Sequence, residues 1–240
     1  MSVVIIGSTG SDVDADLATD HHVYDRRMRL AHHREQLARL RRPTCDHPLR
    51  LFVSGCLAGR PCGVDGTDYG LHAALRDLLS LPTVSVASFC PEDYAMGTPR
   101  TMPDIHGGDG FDVLDGNARV LDQYGVDVTE KMLAGARAML AAVLAHGAEL
   151  AVLTDMSAAC GSQVVSDGCR LVKERRFTAG VGVATALLLR HDVLVVSQRD
   201  YKTLGLVRAL LDSSFVPCVD ARDHHESDWY VRTFESARVS

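Results

Sequence analysis

No apolar run in this chain of 240 residues reaches the roughly 18 that a bilayer-spanning helix requires. The N-terminus also lacks a basic region followed by an apolar stretch and a small-residue cleavage site. A cytoplasmic protein without a membrane partner is the expectation. Lysine is scarce, so arginine carries almost all the positive charge, and the net charge is −6. That mildly acidic balance makes a poor general nucleic-acid binder, although a local basic patch is compatible with it. Cysteine is too sparse for a secreted disulfide scaffold: there are seven, an odd number, spread from 45 to 218, which favours reduced thiols. None of the three cysteines that matter below lies in a CxxC pair, so a zinc ribbon or a thioredoxin-type dithiol is not supported.

With 46% hydrophobic and 23% charged residues, the chain can bury one sizeable core, or one core plus an appendage. Residues 1–48 have the character of an extension. A short apolar start and an acidic, turn-rich stretch precede a segment from Arg26 to Arg42 with seven arginines and one acid, Glu35. Met28, Leu30, Leu37 and Leu40 fit one helix face only loosely there, which suggests a solvated helix or partial disorder. The paired histidines His21, His22, His32 and His33 receive no function.

From Leu49 onward strands and helices alternate. LRLFVS, TVSVAS, ELAVLT and VLVVS read as strands, and FDVLDG with ARVLDQYG as a short strand pair. The clearest helix begins near Thr129 as N-cap, buries Met132, Ala136, Met139, Leu140, Val143 and Leu144, and stops at Gly147. A later helix should bury Leu204, Val207, Leu210 and Leu211. The alternation predicts an α/β fold, a Rossmann-like parallel sheet with helices on both faces, over residues 49–215, followed by a tail at 216–240.

Three cysteines, Cys56, Cys90 and Cys160, each sit just past one of these strands. In open α/β sheets, ligands bind at the carboxyl ends of the strands, so the three thiols are expected to converge. Three thiolates together suggest a metal or a cluster. Each alone would read as a buried inert thiol. Glycines at 55, 59, 63 and 66 surround Cys56, and Pro91 separates Cys90 from Glu92.

These loops resemble, in order, the motifs of the thiouracil desulfidase family, also called domain of unknown function 523. SGCLAGRPCGVDG is similar to its opening S-x-C-L-x-G-x-x-C-x-x-D-G, and CPEDYAMGTPR to its cysteine-proline-glutamate loop ending in Thr-Pro-Arg. GVDVTEKMLAGA, LTDMSAACGS and TAGVGVATALL are similar to the motifs that follow. The third loop reads Ser-Ala-Ala-Cys where the family has Ser-Pro-Ser-Cys, and Thr154 stands where a lysine is common.

The resemblance implies a 4Fe-4S cluster held by Cys56, Cys90 and Cys160, with a unique iron left to take the sulfur of a thiopyrimidine. Thiouracil would become uracil and hydrogen sulfide by hydrolysis, with no net redox change. Glu92 matches the family's active-site glutamate, a general base and then acid. Ser157 matches its active-site serine, hydrogen-bonding the ring or the incoming oxygen. Cys62 and Asp65 are expected chiefly to shape their loop. Arg100 either binds an anion or pairs with a buried carboxylate. Two other readings stay open: a zinc or cluster module without catalysis, with Glu92 or Cys62 as fourth ligand, and desulfuration of a thiolated nucleoside in RNA docked by the arginine-rich segment.

Overall fold

The computed structural model describes residues 26–68 and 73–234. In chain order the elements are α1 (Arg26–Arg39), β1 (Leu49–Ser54), α2 (Ala73–Leu79), β2 (Val84–Phe89), α3 (Pro91–Met96), β3 (Pro103–His106), α4 (Gly110–Leu114), β4 (Arg119–Asp122) and α5 (Thr129–His146). Then come β5 (Leu150–Leu153), β6 (Val165–Ser166), β7 (Phe177–Thr178), α6 (Val183–Arg190), β8 (Val195–Ser197), α7 (Tyr201–Leu211) and α8 (Asp228–Phe234).

Four strands form one parallel sheet in the order β2-β1-β5-β8. Leu51 stands opposite Val86 on one side and Leu150 on the other, and Val152 opposite Val196. Side chains alternate between the faces of a strand, and both faces are apolar here, as a covered parallel sheet demands. Phe52, Ala151, Leu153 and Val195 join one core with α5 and α6. Leu51, Val53, Val152 and Val196 join another with Leu75 and Leu78 of α2 and Leu204 and Val207 of α7. The expected α/β sheet with helices on both faces is therefore present.

Two local expectations are corrected. FDVLDG is not a strand: residues 110–114 form helix α4, and β4 pairs instead with β3, antiparallel. A capping box causes the difference, since Asp109 Oδ1 accepts from the Phe111 amide and Asp112 Oδ2 from the Asp109 amide. On α5, the stripe Met132, Ala136, Met139, Leu140 and Val143 is buried, but Leu144 is exposed. Leu144 lies about 100° around the helix from the centre of that stripe. Thr129 is the first residue of α5; the Asp127 carboxylate accepts its amide at 2.9 Å.

The arginine-rich segment is helical from Arg26 and rests on the body. Leu37 and Leu40 pack against the second core, and Gln36 Nε2 donates to the Asp192 carbonyl at 3.0 Å. Residues 1–25, with His21 and His22, lie outside the described residues. Beyond α7 the chain folds back, burying His224 and Tyr230.

Two glycines let the site loops seat. A side chain at Gly135 on α5 would run into the carbonyl of Pro91, at the start of α3. One at Gly182, before α6, would strike the backbone of Ala158 and Ala159, next to Cys160. Gly135→Ala should push α3 outward and cost about 1–3 kcal/mol, since overpacking strains a dense interface. Chemical denaturation of the variant checks this.

Candidate active site at the carboxyl ends of the parallel strands

All three strand-end cysteines line one cavity of about 540 Å³, together with Cys62, Glu92, Arg100 and Ser157. Cys56 lies in a short 3-10 turn, Gly55–Ala58, directly after β1. Cys90 follows β2 and caps α3, its sulfur accepting the Asp93 amide at 3.4 Å. Cys160 sits on the loop after β5. The parallel register thus gathers residues far apart in sequence, as expected from their positions.

Cys62 is the fourth thiol in this group, close enough that a Cβ at Gly55 would lie 3.1 Å from its sulfur and 3.3 Å from Cys90 Cβ. Its hydrogen bond lowers the Cys56 thiol to about 7; burial opposes this and the Thr154 hydroxyl, 3.0 Å away, assists. The same Cys62 contact lowers Cys90, whereas Cys62 itself is pushed up by serving both partners. Burial pushes the Cys160 thiol up. A Cys56 thiolate is therefore accessible near neutral pH, and Cys90 is shifted in the same direction; the thiolate is the form that binds metal.

Glu92 is buried, and its two carboxylate oxygens have separate partners. Arg100 Nη2 donates to Oε2 at 2.7 Å, and the Ser157 hydroxyl donates to Oε1 at 2.9 Å. Arg100 is fixed in turn by the Cys62 and Gly97 carbonyls, at 3.1 and 3.2 Å. Of its two expected roles, Arg100 takes the second, pairing with a buried carboxylate. Ser157 also accepts the amides of Ala159 and Cys160, at 3.2 and 3.1 Å. Asp65 caps its own turn through Thr67 and stands outside the cavity. Cys45, Cys169 and Cys218 stand outside it as well.

Asp155 is the residue that sequence reasoning missed. Its Oδ1 accepts the amides of Met156, Ser162, Gln163 and Val164 at 2.9–3.1 Å, which closes the loop carrying Ser157 and Cys160 into a ring. Its Oδ2 accepts His224 Nδ1 at 2.6 Å and the Ser197 hydroxyl at 3.2 Å. Met156 between them has φ of 61°, a left-handed conformation that is unfavourable for its side chain. Arg170 Nη1, bound to the Met156 carbonyl at 2.9 Å, helps hold it there. The single local clue was the Thr-Asp pair closing the strand; the partner histidine lies in the tail.

Burial raises the Asp155 carboxyl, but the His224 contact and the loop amides outweigh it and hold the group below the usual carboxylate range. Its stabilising contribution is therefore complete at neutral pH and disappears as pH falls below about 4 toward the folded-state value. Asp155→Asn should lose about 1–3 kcal/mol at neutral pH, the cost of leaving buried hydrogen-bond donors without their acceptor. The gap to wild type should close on acidification, which urea unfolding across pH would show.

The family described as 2-thiouracil desulfurase matches residues 51–200. An uncharacterised Bacillus subtilis (strain 168) protein, YbbK, is 34% identical over 152 residues, covering 62% of this chain and 96% of its own. A solved structure titled as a 4Fe-4S-dependent thiouracil desulfidase, TudS, is similar with a TM-score of 0.56 and 32% identity. That match covers 68% of this chain and 99% of the other.

Proposed function

Because this chain belongs to the 2-thiouracil desulfurase family, we propose that it hydrolyses thiouracil or a close thiopyrimidine, with Cys56, Cys90 and Cys160 as ligands of a 4Fe-4S cluster. The observation that carries this reading is the convergence of those three thiols on one cavity that also holds the Glu92–Ser157 pair. The donor set fits the group: three sulfurs from three loops, two of them with lowered thiol pKa, around a cavity of about 540 Å³. When bound there, a cluster with only three protein ligands supplies a thiophilic Lewis acid for the thiocarbonyl sulfur.

The remaining work falls to the protein's side chains. Arg100 holds Glu92 in place through Oε2, and the carboxylate can take a proton from water as its oxygen adds to the thiocarbonyl carbon. Glu92 then returns that proton as the carbon–sulfur bond breaks, giving uracil and hydrogen sulfide. Ser157, bonded to Glu92 in the resting site, fixes Oε1 and can turn its hydroxyl toward the incoming oxygen or the ring. Cys62 stays a protonated donor to Cys56 and Cys90, a positioning role. Among the described residues, none of α1 lines the cavity, which favours a free base over a polynucleotide as substrate.

The test is sulfide release from 2-thiouracil by anaerobically reconstituted protein, with iron measured on the same sample. Equal uracil and sulfide over many turnovers, with about four irons per chain, is expected. Serine at Cys56, Cys90 or Cys160 should abolish iron binding. Glu92→Gln should retain iron and lose turnover by about 10²–10⁴-fold, the usual share of a general base. Normal turnover in that variant would remove Glu92 from the chemistry.

A further inference from the structure

A second constellation lies behind the Cys160 loop, where Asp200 at the start of α7 meets the returning tail. One donor atom from each of Asp200, Asp223 and His225 lies within 4.8 Å of the others. Asp200 and Asp223 are both buried. Two buried carboxylates side by side repel unless a cation or a proton lies between them. We propose that Asp200, Asp223 and His225 bind a divalent transition-metal ion of the zinc class.

Asp200 and His225 border a small cavity of about 60 Å³, which His33, Thr185, Ser162 and Gln163 also line. A water occupies about 30 Å³, so the space suits an ion with one water. The Thr185 hydroxyl lines this cavity, is fully buried and has no hydrogen-bond partner. The Ser162 hydroxyl and the Gln163 side-chain carbonyl are unpartnered as well. Three unpartnered oxygens beside one small cavity with otherwise largely apolar walls indicate a hydrated occupant.

The carboxylates are oriented from behind, as metal ligands are. Asp200 accepts Gln163 Nε2 at 2.6 Å, the His224 amide at 3.0 Å and the Ser197 amide at 2.9 Å. Asp223 accepts the amide and hydroxyl of Thr203 at 2.9 and 2.7 Å. A carboxylate has about four lone-pair sites, so each keeps one for an ion. His33 lines the same cavity, and its ring donates to the Val195 carbonyl, the arrangement that leaves the second ring nitrogen a ligand. The donor atoms lie within 4.8 Å of one another, and tetrahedral zinc with Zn–N/O near 2.1 Å would draw them to ~3.4 Å. Nitrogen and carboxylate donors without thiolate suit zinc better than calcium or magnesium, which prefer all-oxygen sites.

Asp223, His225 and His33 lie outside residues 51–200 and Asp200 is the last residue inside them, so the site joins the family core to the segments that flank it. An ion there would tie α7, the tail and α1 together.

The experiment is calorimetric zinc titration of the full-length protein reconstituted with iron and sulfide, followed by thermal unfolding of the same samples. One zinc per chain and a higher unfolding temperature are expected. Asp223→Asn combined with His225→Ala should abolish both effects. Asp223 also holds Thr203, so His33→Ala, which spares that contact, is the second variant, expected to weaken binding by at least ~10-fold. Cobalt in place of zinc should give only weak d–d bands; intense thiolate charge transfer would place the ion on the cysteines and overturn the proposal. Wild type that binds no zinc, or binding unchanged in the variants, would overturn it too.

Discussion

Parallel pairing of β1 with both β2 and β5 is the constraint from which the cysteine site follows. Parallel neighbours must be joined by crossovers, so each strand ends at the same rim and each following loop starts there. Three loops that share no sequence neighbourhood are thereby brought around one cavity. β1, buried on both faces and central to the pairing, sets the heights at which Cys56, Cys90 and Cys160 stand. The helices behind them refine this placement: α5 has no side chain at Gly135, so α3 and Glu92 can sit close.

Within the rim, polar groups are ordered in chains that leave few side chains independent. Arg100 holds Glu92, Glu92 receives Ser157, and Ser157 accepts the amide of Cys160 itself. Glu92 and the backbone of Cys160 are thus linked through a single hydroxyl. Cys62 does the corresponding work on the other side, bridging the sulfurs after β1 and β2. A buried carboxylate in such a setting has both oxygens matched to rigidly held donors, so its position is set by the network around it.

Much of this was legible in the sequence because it is written locally. The apolar run in LRLFVS marked a strand, Gly147 marked the end of α5, and a cysteine just past β1, β2 and β5 marked the rim. Glu92 stood out because its loop, two residues past Cys90, resembles the family's cysteine-proline-glutamate motif. What escaped depends on partners that no local period encodes. Nothing near Asp155 announces His224, and Arg100 offered two roles that only the fold could separate. FDVLDG looked like a strand because five residues are too few to distinguish the periods, and two aspartates at capping distance decided for a helix. The arginine-rich segment looked solvated because its apolar residues are sparse, yet Leu37 and Leu40 suffice to dock it.

Asp155 also imposes an order on biosynthesis. The four amides that wrap its inner oxygen are made soon after it, so the third loop can take its ring shape while the chain is still growing. Its outer oxygen must wait for His224, which emerges only after β8 and α7. Until then, the loop bearing Cys160 has its curvature without its anchor. The wall of the cavity that carries Cys160 is accordingly completed last, by a histidine that does not line it.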